Sequence, residues 1–507
     1  MEPPTRKGSG VFVLNGQVLQ LPAYVAAIAP RDLADARRLV SRAPREATAI
    51  EYRVDLARES LPADGLLALD ARPAIVTCRT AREGGDFGGS SEEYRSLVTR
   101  AYESGATVDV EFSSGLLSGD ENFPDRRRVI ASCHSLFSLP EDWENLLERM
   151  RATRARAVKL VAGAADLPAS LAVAKIQKRR NGSSEAVFPM GPASAAGRVL
   201  SALFGACLVY GSVDGQTAPG QLALSDLLET YRVGQPRPIE ALYGIVGRDV
   251  SESLSPYLHN ALFVSRGLPC VYLPLPTADF DREKPQELSF DPPFRGFSVT
   301  RPWKRRAAET AIPSEDARAT GAANTLVWTR GRWRAENTDV DGIFDPLADH
   351  DTGEGRSAVI LGAGGTARAA IVAARKLGYE VLVSSRRDEE ADALARDLSV
   401  HSLAWKDVGA SEADLYLNAT PVGSLDGDPP AFPASVLANR PLVFDCVYRR
   451  DGRATPTILA ARAAGCPTVA GIQMFAAQAV RQARLFGVAD ATGEEIARLL
   501  AAPGRVS

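Results

Sequence analysis

At 507 residues the chain is too long for one domain of usual size, and about 150 residues per domain predicts roughly three units. With 45% hydrophobic and 24% charged residues it has the composition of an ordinary globular protein, and 59 basic against 62 acidic side chains leave a formal net charge of -3. That balance gives no electrostatic case for nucleic acid or an anionic membrane as a partner. No run approaches the roughly 20 apolar residues of a spanning helix, and the first ten residues lack the apolar core of a secretory signal, so a cytoplasmic chain is expected. The six cysteines are scattered without a CxxC pair, which disfavours a zinc ribbon or a disulfide scaffold; no metal site is expected.

Residues 1–20 read as a tail and lead-in, with residues 1–10 disordered. Short β-branched runs then alternate with amphipathic stretches: AYVAAIA (23–29), AIEYRV (49–54), AIVTCR (74–79), TVDVEF (107–112), RVIASCH (128–134), AVKLVA (157–162), EAVFPM (185–190) and CLVYGSV (207–213). Strands alternating with helices in this way predict an α/β chain that opens with a (β/α)8 TIM barrel over residues 21–235, its last helix at 221–233. An open parallel sheet is the alternative. Residues 236–242 read as a linker. A second α/β segment follows over 243–345, and DHDTGEGRS (349–357) reads as a loop. A third unit over 355–478 opens with a strand, a turn and a helix at AVILGAGGTARAAIVAARKLG (358–378), and residues 479–507 read as C-terminal helices.

In the second run Glu51, Arg53 and Asp55 alternate with apolar neighbours, so all three are expected on one strand face. A solvated face and a barrel interior both satisfy that pattern. Arg79 ends the third run and Glu83 follows it; His134 ends the fifth, Lys159 lies in the sixth, Arg198 follows the seventh, and Thr217 and Gln221 follow the eighth. Taken singly, a strand Lys is ordinarily snorkelling or ion-paired, and a strand-end His is ordinarily structural. Together these groups fall at C-terminal strand ends, where barrel active sites form. Only eight of the basic residues are lysines, and Lys, unlike Arg, can give up its proton. Buried among arginines, Lys159 is expected to shift toward the neutral amine through desolvation and like charge. Such an amine condenses with a ketone to an iminium, a His–carboxylate pair moves the acidified proton, and arginines hold an anionic substrate.

Over residues 20–230 the ordered motifs Glu51-x-Arg53-x-Asp55, Thr77-x-Arg79, Glu83-Gly84-Gly85, Ser132-x-His134, Lys159, Met190-Gly191 with Arg198, and Ala218-Pro219-Gly220-Gln221 resemble the type I 3-dehydroquinate dehydratases. The resemblance implies a Schiff base at Lys159, general acid/base work by His134, and positioning of His134 by Glu83. It assigns Glu51, Arg53, Arg79, Arg198, Thr217 and Gln221 to the substrate carboxylate and ring hydroxyls. Ser135-Leu136 depart from the family's usual Asp-Phe, and Ser194 and Gly197 stand where it often has Gly and Ser.

In the rear half Gly362-Ala363-Gly364-Gly365-Thr366-Ala367 makes a G-x-G-x-x-A turn between a strand and a helix, which suits a pyrophosphate at the helix N-terminus; a merely tight turn is the plain reading. The next strand ends in Ser384-Ser385-Arg386-Arg387 with no acid for a ribose 2′-hydroxyl, so a 2′-phosphate, and hence NADP, is preferred; exposed arginines with no role are the plain reading. Lys304 belongs either to a solvated cluster with Arg305 and Arg306 or beside Asp339 as the acid/base of a hydride transfer. Ser253-Leu254-Ser255-Pro256 with His259-Asn260, Val299-Thr300-Arg301-Pro302-Trp303-Lys304, Asn337-Thr338-Asp339, Asn418 to Gly423, and Gly471-x-x-Met474 with Gln478 make residues 243–490 resemble the shikimate dehydrogenases. The resemblance implies catalysis by Lys304 and Asp339, and shikimate contacts from Ser253, Ser255, Thr300, Asn324, Asp339 and Gln478. It places Gly364, Gly365, Ser385, Arg386, Thr420, Tyr448, Gly471 and Met474 at the cofactor. Residues 243–345 would then be the substrate domain, 355–478 the NADP domain, and 479–507 would return to the substrate domain. Asp249, Glu252 and Ser298 stand where the family commonly has Pro, His and Asn.

The two resemblances together imply a bifunctional enzyme of the shikimate pathway to chorismate and aromatic amino acids. It would dehydrate 3-dehydroquinate to 3-dehydroshikimate and reduce that to shikimate with NADPH. Quinate as the second substrate or NAD as the cofactor is the near alternative; a Schiff-base aldolase barrel or a non-catalytic metabolite sensor is the remote one. The residues leave the oligomeric state open.

Overall fold

The computed structural model describes residues 19–501 apart from residues 60, 120, 181–183, 216, 236, 351–354 and 450. The expected disordered tail at 1–10 lies outside the described residues. Two compact units divide the chain, residues 1–236 and 237–507.

The first unit carries β1 (Ala23–Ile28), β2 (Ala49–Arg53), β3 (Ala74–Thr77), β4 (Thr107–Glu111), β5 (Val129–Ser135), β6 (Ala157–Gly163), β7 (Glu185–Met190) and β8 (Leu208–Ser212). All ladders are parallel, in the order β7-β6-β5-β4-β3-β2-β1-β8. The five paired positions from Ala23↔Leu208 to Ala27↔Ser212 bring β8 back onto β1 and exclude the open sheet. The barrel is nearly closed: at the β7–β8 seam the Cys207 N–H donates to the Glu185 carbonyl at 2.9 Å.

Side chains of a strand alternate between faces, so positions two apart share one. Ala49, Ile75, Ile130, Ala157 and Leu208 sit in one apolar cluster. Two residues further along, the same strand faces carry Glu51, Thr77, Ser132, Lys159 and Tyr210, all buried. Apolar packing below thus holds a polar layer at the C-terminal ends. Two details differ from expectation. β2 ends at Arg53, and Asp55 lies in the short 3-10 turn Val54–Leu56 because Arg53 draws its carboxylate back in a two-bond contact at 2.9 and 2.7 Å. The last helix is shorter than 221–233: Ala223 bridges to Ser212 and the helical turn labelled by i→i+5 bonds covers Asp226–Thr230.

The second unit has two sheets. The first orders β9 (Ala241–Gly247), β10 (Cys270–Pro276), β11 (Phe294–Val299), β12 (Ile312–Pro313), β13 (Thr325–Thr329) and β14 (Arg332–Glu336) as β10-β9-β11-β13-β14-β12, with antiparallel pairing only at β11/β13 and β13/β14. The second is wholly parallel, β15 (Ser357–Leu361), β16 (Glu380–Ser384), β17 (His401–Ser402), β18 (Leu415–Asn418), β19 (Leu442–Asp445) and β20 (Thr468–Val469), in the order β17-β16-β15-β18-β19-β20. Its order reverses at β15/β18, the switch point where open α/β sheets bind ligands. The helix Gly471–Leu485 runs through residue 478 without a break, and Phe475, Ala479, Ala483 and Phe486 pack with Ile245, Leu258, Phe263 and Tyr272 of the first sheet's layer. Among the described residues no helix is long and apolar enough to cross a membrane.

A Cβ at Gly211 would lie 2.4 Å from the Leu224 Cα, where the segment after β8 crosses the strand. Because backbone must move to admit it, Gly211→Ala is expected to destabilise the first unit by about 1–3 kcal/mol, measured as a lower urea midpoint against the unaltered chain.

Candidate active sites

In the first unit the ladder sets Lys159 opposite Ser132. The Lys159 ammonium pairs with Asp109, lies 3.9 Å from Glu51 Oε1, and rests 4.6 Å from the Tyr210 ring centroid. Its nearest charged partners are therefore carboxylates, not the arginines expected from the sequence. The reason is β4, whose alternating Asp109 and Glu111 point into the barrel. Arg79, 3% exposed, spends its guanidinium on three acids: 2.6 Å to Asp109, 3.2 Å to Glu111 and 3.5 Å to Glu83. Burial alone would lower that guanidinium, and the surrounding carboxylates more than restore it. Burial would also raise the Asp109 carboxyl, but Arg79 and Lys159 hold it far below the ordinary carboxylate range.

Glu83 reaches His134 twice, at 3.1 Å to Nδ1 and by accepting the His134 N–H at 3.0 Å, while Ser113 donates to its other oxygen at 2.7 Å. Burial and the charge of Glu111 push the Glu83 carboxyl up to about 7, against the pull of Arg79. The His134 ring is driven well below its usual range by burial and by the charges of Arg79 and Lys159. Thr77 donates to Glu51 at 2.8 Å. Arg53 also reaches the Thr217 carbonyl at 3.1 Å, and Thr217 donates its hydroxyl to Gln221 at 2.6 Å. Arg198 lies buried over the Phe188 ring at 5.1 Å with no carboxylate partner among the described residues, and burial pulls its guanidinium down to about 10.

In the second unit Lys304 opens the helix Lys304–Glu309 and Asp339 lies in the first turn of Thr338–Ala348. Lys304 Nζ reaches Asp339 Oδ2 at 2.5 Å and the Thr366 hydroxyl at 3.3 Å, so the solvated-cluster reading fails for Lys304. Asn324 donates to the other Asp339 oxygen at 2.8 Å and to the Thr338 hydroxyl at 2.9 Å. Thr338 in turn donates to Gln478 at 3.3 Å. A cleft of about 510 Å³ is lined by Ser253, Ser255, Thr300, Lys304, Asn324, Asp339 and Gln478 together with Thr366, Thr420, Tyr448, Gly471 and Met474. Gly362, Gly364, Gly365, Ala367, Ser385, Arg386 and Arg387 do not line it. Arg386 and Arg387 stand exposed beyond β16, with Arg387 paired to Glu390 at 2.6 Å.

At the loop after β15, nothing lies within 4 Å of a Cβ built on Gly364, which caps the helix Gly365–Lys376, whereas one on Gly365 would meet the Lys304 Cδ at 2.9 Å. The open side of Gly364 fits a pyrophosphate against backbone N–H groups. Among the described residues no group of three His, Cys, Asp or Glu is placed to hold a metal ion.

Sequence reading passed over Asp109, Glu111 and Tyr210, although TVDVEF shows the alternation that drew attention to Glu51 and Arg53. It also passed over Gln482, which lines the cleft, accepts from Ser298 at 2.9 Å and donates to Thr325 at 2.8 Å, tying β11 to β13.

Two family models match the chain: type I 3-dehydroquinase over residues 24–237, and shikimate dehydrogenase substrate binding domain over residues 245–326. A bifunctional 3-dehydroquinate dehydratase/shikimate dehydrogenase of Arabidopsis thaliana is 29% identical over 474 residues, covering 86% of this chain and 77% of the relative. A shikimate dehydrogenase (NADP(+)) of Maridesulfovibrio salexigens is 33% identical over 252 residues, 49% of this chain and 91% of the relative. A solved shikimate 5-dehydrogenase from Thermus thermophilus in complex with NADP(H) and shikimate is 28% identical, covers 51% of this chain and 98% of its own, and has a TM-score of 0.45.

Removing the cation at position 79 leaves Glu83 and Glu111 buried without it while Lys159 still holds Asp109, and breaking a buried pair costs about 3–5 kcal/mol. In Arg79→Gln those carboxyls titrate higher folded than unfolded, so their penalty is full at high pH and fades as acid protonates them. Urea unfolding of Arg79→Gln is expected to show a larger deficit at about pH 8 than at about pH 5.5.

Proposed function

The chain belongs to the shikimate dehydrogenase family through its second unit and to the type I 3-dehydroquinases through its first, and on that premise we propose how its residues carry out the two reactions. The protein is a bifunctional dehydratase and dehydrogenase of the shikimate pathway. Its substrates are 3-dehydroquinate in the barrel and 3-dehydroshikimate in the rear unit, with NADPH as reductant.

The observation that carries the barrel reading is that Lys159, Glu83 and the partly buried His134 stand at the C-terminal strand ends of one barrel, with Glu83 bonded to the His134 ring. Arg198, buried without a counter-charge, receives the substrate carboxylate, because an uncompensated buried cation is costly and an anionic ligand relieves it. Lys159 adds to the ketone and, as the iminium forms, its oxygen leaves as water. His134, kept neutral by burial and neighbouring cations, takes a proton from the carbon beside the iminium and returns one to the departing hydroxyl. Glu83 fixes the ring through Nδ1. Arg79, Glu51, Arg53, Thr217 and Gln221 shape the remainder of the pocket. Hydrolysis of the product imine releases 3-dehydroshikimate and restores Lys159.

In the rear unit the Lys304–Asp339 pair supports the acid/base role. Lys304 gives a proton to the carbonyl oxygen, and Asp339, held by Asn324, orients the amine. When bound, NADPH supplies the hydride. Gly362, Gly364, Gly365, Thr366 and Ala367 would cradle its pyrophosphate, Thr420, Tyr448, Gly471 and Met474 its nicotinamide side, and Ser385, Arg386 and Arg387 its 2′-phosphate. Ser253, Ser255, Thr300, Asn324 and Gln478 hold the shikimate ring. Asp249 and Glu252 line the same cleft as the two serines, and quinate is the alternative substrate of this unit.

Borohydride added with 3-dehydroquinate is expected to trap an adduct at Lys159, located by peptide mass spectrometry; an adduct elsewhere refutes the mechanism. Lys159→Ala should abolish dehydration and spare NADPH-linked reduction, and Lys304→Ala should do the reverse. The Glu83 carboxyl, at about 7, is ionised above that pH and protonated below it. The dehydratase kcat/KM should therefore rise through about pH 7, and Glu83→Gln should remove that limb. Arg386→Ala should raise KM for NADPH by about tenfold or more while leaving NADH little changed, since a charge-assisted contact is worth about 1.5–3 kcal/mol.

A further inference from the structure

At the β7–β8 seam three polar side-chain atoms have no hydrogen-bond partner among the described residues: Arg198 Nε, Ser201 Oγ and Tyr210 OH. All three residues are buried, Arg198 and Tyr210 at 8% exposure and Ser201 at 1%. They line one cavity, whose walls are otherwise apolar, among them Phe188, Ala206, Leu208 and Leu227. Arg198 and Ser201 are three apart in the helix Ala195–Leu203 and so share a face, and Tyr210 projects from β8. The cavity has room for about 10 Å³, the size of one small occupant held by two to four polar partners.

Leaving three such groups unsatisfied in an apolar wall is expensive, and each costs on the order of a lost hydrogen bond. The donor set is also informative. A guanidinium N–H and two hydroxyls belong to residues that line one cavity, with no carboxylate among its lining residues. Burial keeps the Tyr210 phenol protonated, helped by the charges of Glu51 and Asp109, so its hydroxyl remains a donor. These groups suit a single-atom hydrogen-bond acceptor.

We propose that this cavity is a binding site for one solvent-sized acceptor, a water or a halide ion, which tethers Arg198 to Ser201 and Tyr210 and so holds its guanidinium ready for the substrate carboxylate. Ser201 acts through Arg198 and is a positioning residue; the tether's catalytic consequence rests on the dehydratase reading above. An alkyl wall leaves Arg198 few ways to be held without it, since Phe188 offers only the face of a ring.

Crystals of the full chain grown with bromide in place of chloride test the occupant. Density within hydrogen-bond distance of all three atoms supports the site, with an anomalous peak meaning halide and none meaning water; an empty cavity overturns it. The tether is tested by Ser201→Ala, which leaves Lys159, His134 and Glu83 untouched. KM for 3-dehydroquinate should rise about threefold to tenfold with kcat within about twofold, because a loosened Arg198 weakens binding without altering the reacting groups. An unchanged KM, or a fall in kcat alone, overturns the tether. Dehydration and borohydride trapping at Lys159 in the unaltered chain test the underlying reading separately.

Discussion

Asp109 is fully buried between the guanidinium of Arg79 and the amine of Lys159, and the front unit's site is arranged around that carboxylate. Neither cation tolerates such depth alone, and neither does the acid. Ser132 completes the set by donating to the same carboxylate at 2.5 Å. In the proposed dehydration the Lys159 nitrogen would thus start from an ion pair with a charge it parts from on bonding to carbon, and Asp109 on β4 sets that pair. Arg79 extends the set toward Glu83, so the strength of one ion pair reaches the imidazole of His134 through a shared guanidinium.

The rear unit solves a related problem with less burial. Lys304 and Asp339 come from different helices, and Asn324 at the head of β13 supplies the third point of support. The side chain of Asn337 accepts from the Asp339 N–H at 3.2 Å, so the residue that caps the helix also sets the start of the turn carrying the acid. Capping, ordinarily a matter of helix stability, here also aims a functional group.

The barrel was legible in the spacing of eight apolar runs, but of its polar layer period-two alternation pointed only to Glu51; Lys159 stood out by its place in a strand, Thr77 and Ser132 only within motifs, and Tyr210 not at all. The surroundings of Lys159 were not. A run of basic residues is visible in sequence, but which acid answers which base depends on the stagger between neighbouring strands, and Asp109 meets Lys159 across β5. The position of Asp55 was missed because Arg53 bends the chain back toward itself, a local pairing that alternation does not reveal. In the rear unit the motifs located Lys304 and Asp339, whereas Gln482 escaped because its bonds reach over 150 residues back to Ser298 and Thr325. Arg386 and Arg387 were legible as charges only; where they point is a property of the exposed bend after β16.

The contact between Gly365 and the Lys304 stem ties the nucleotide-side loop to the substrate-side helix through plain hydrocarbon. With only a hydrogen at that α-carbon, the loop after β15 lies close against the helix that begins at Lys304. A methyl at position 365 would sit 2.9 Å from the Lys304 Cδ and press on the stem that carries the amine, so the size of one loop residue bears on where the Lys304 nitrogen stands.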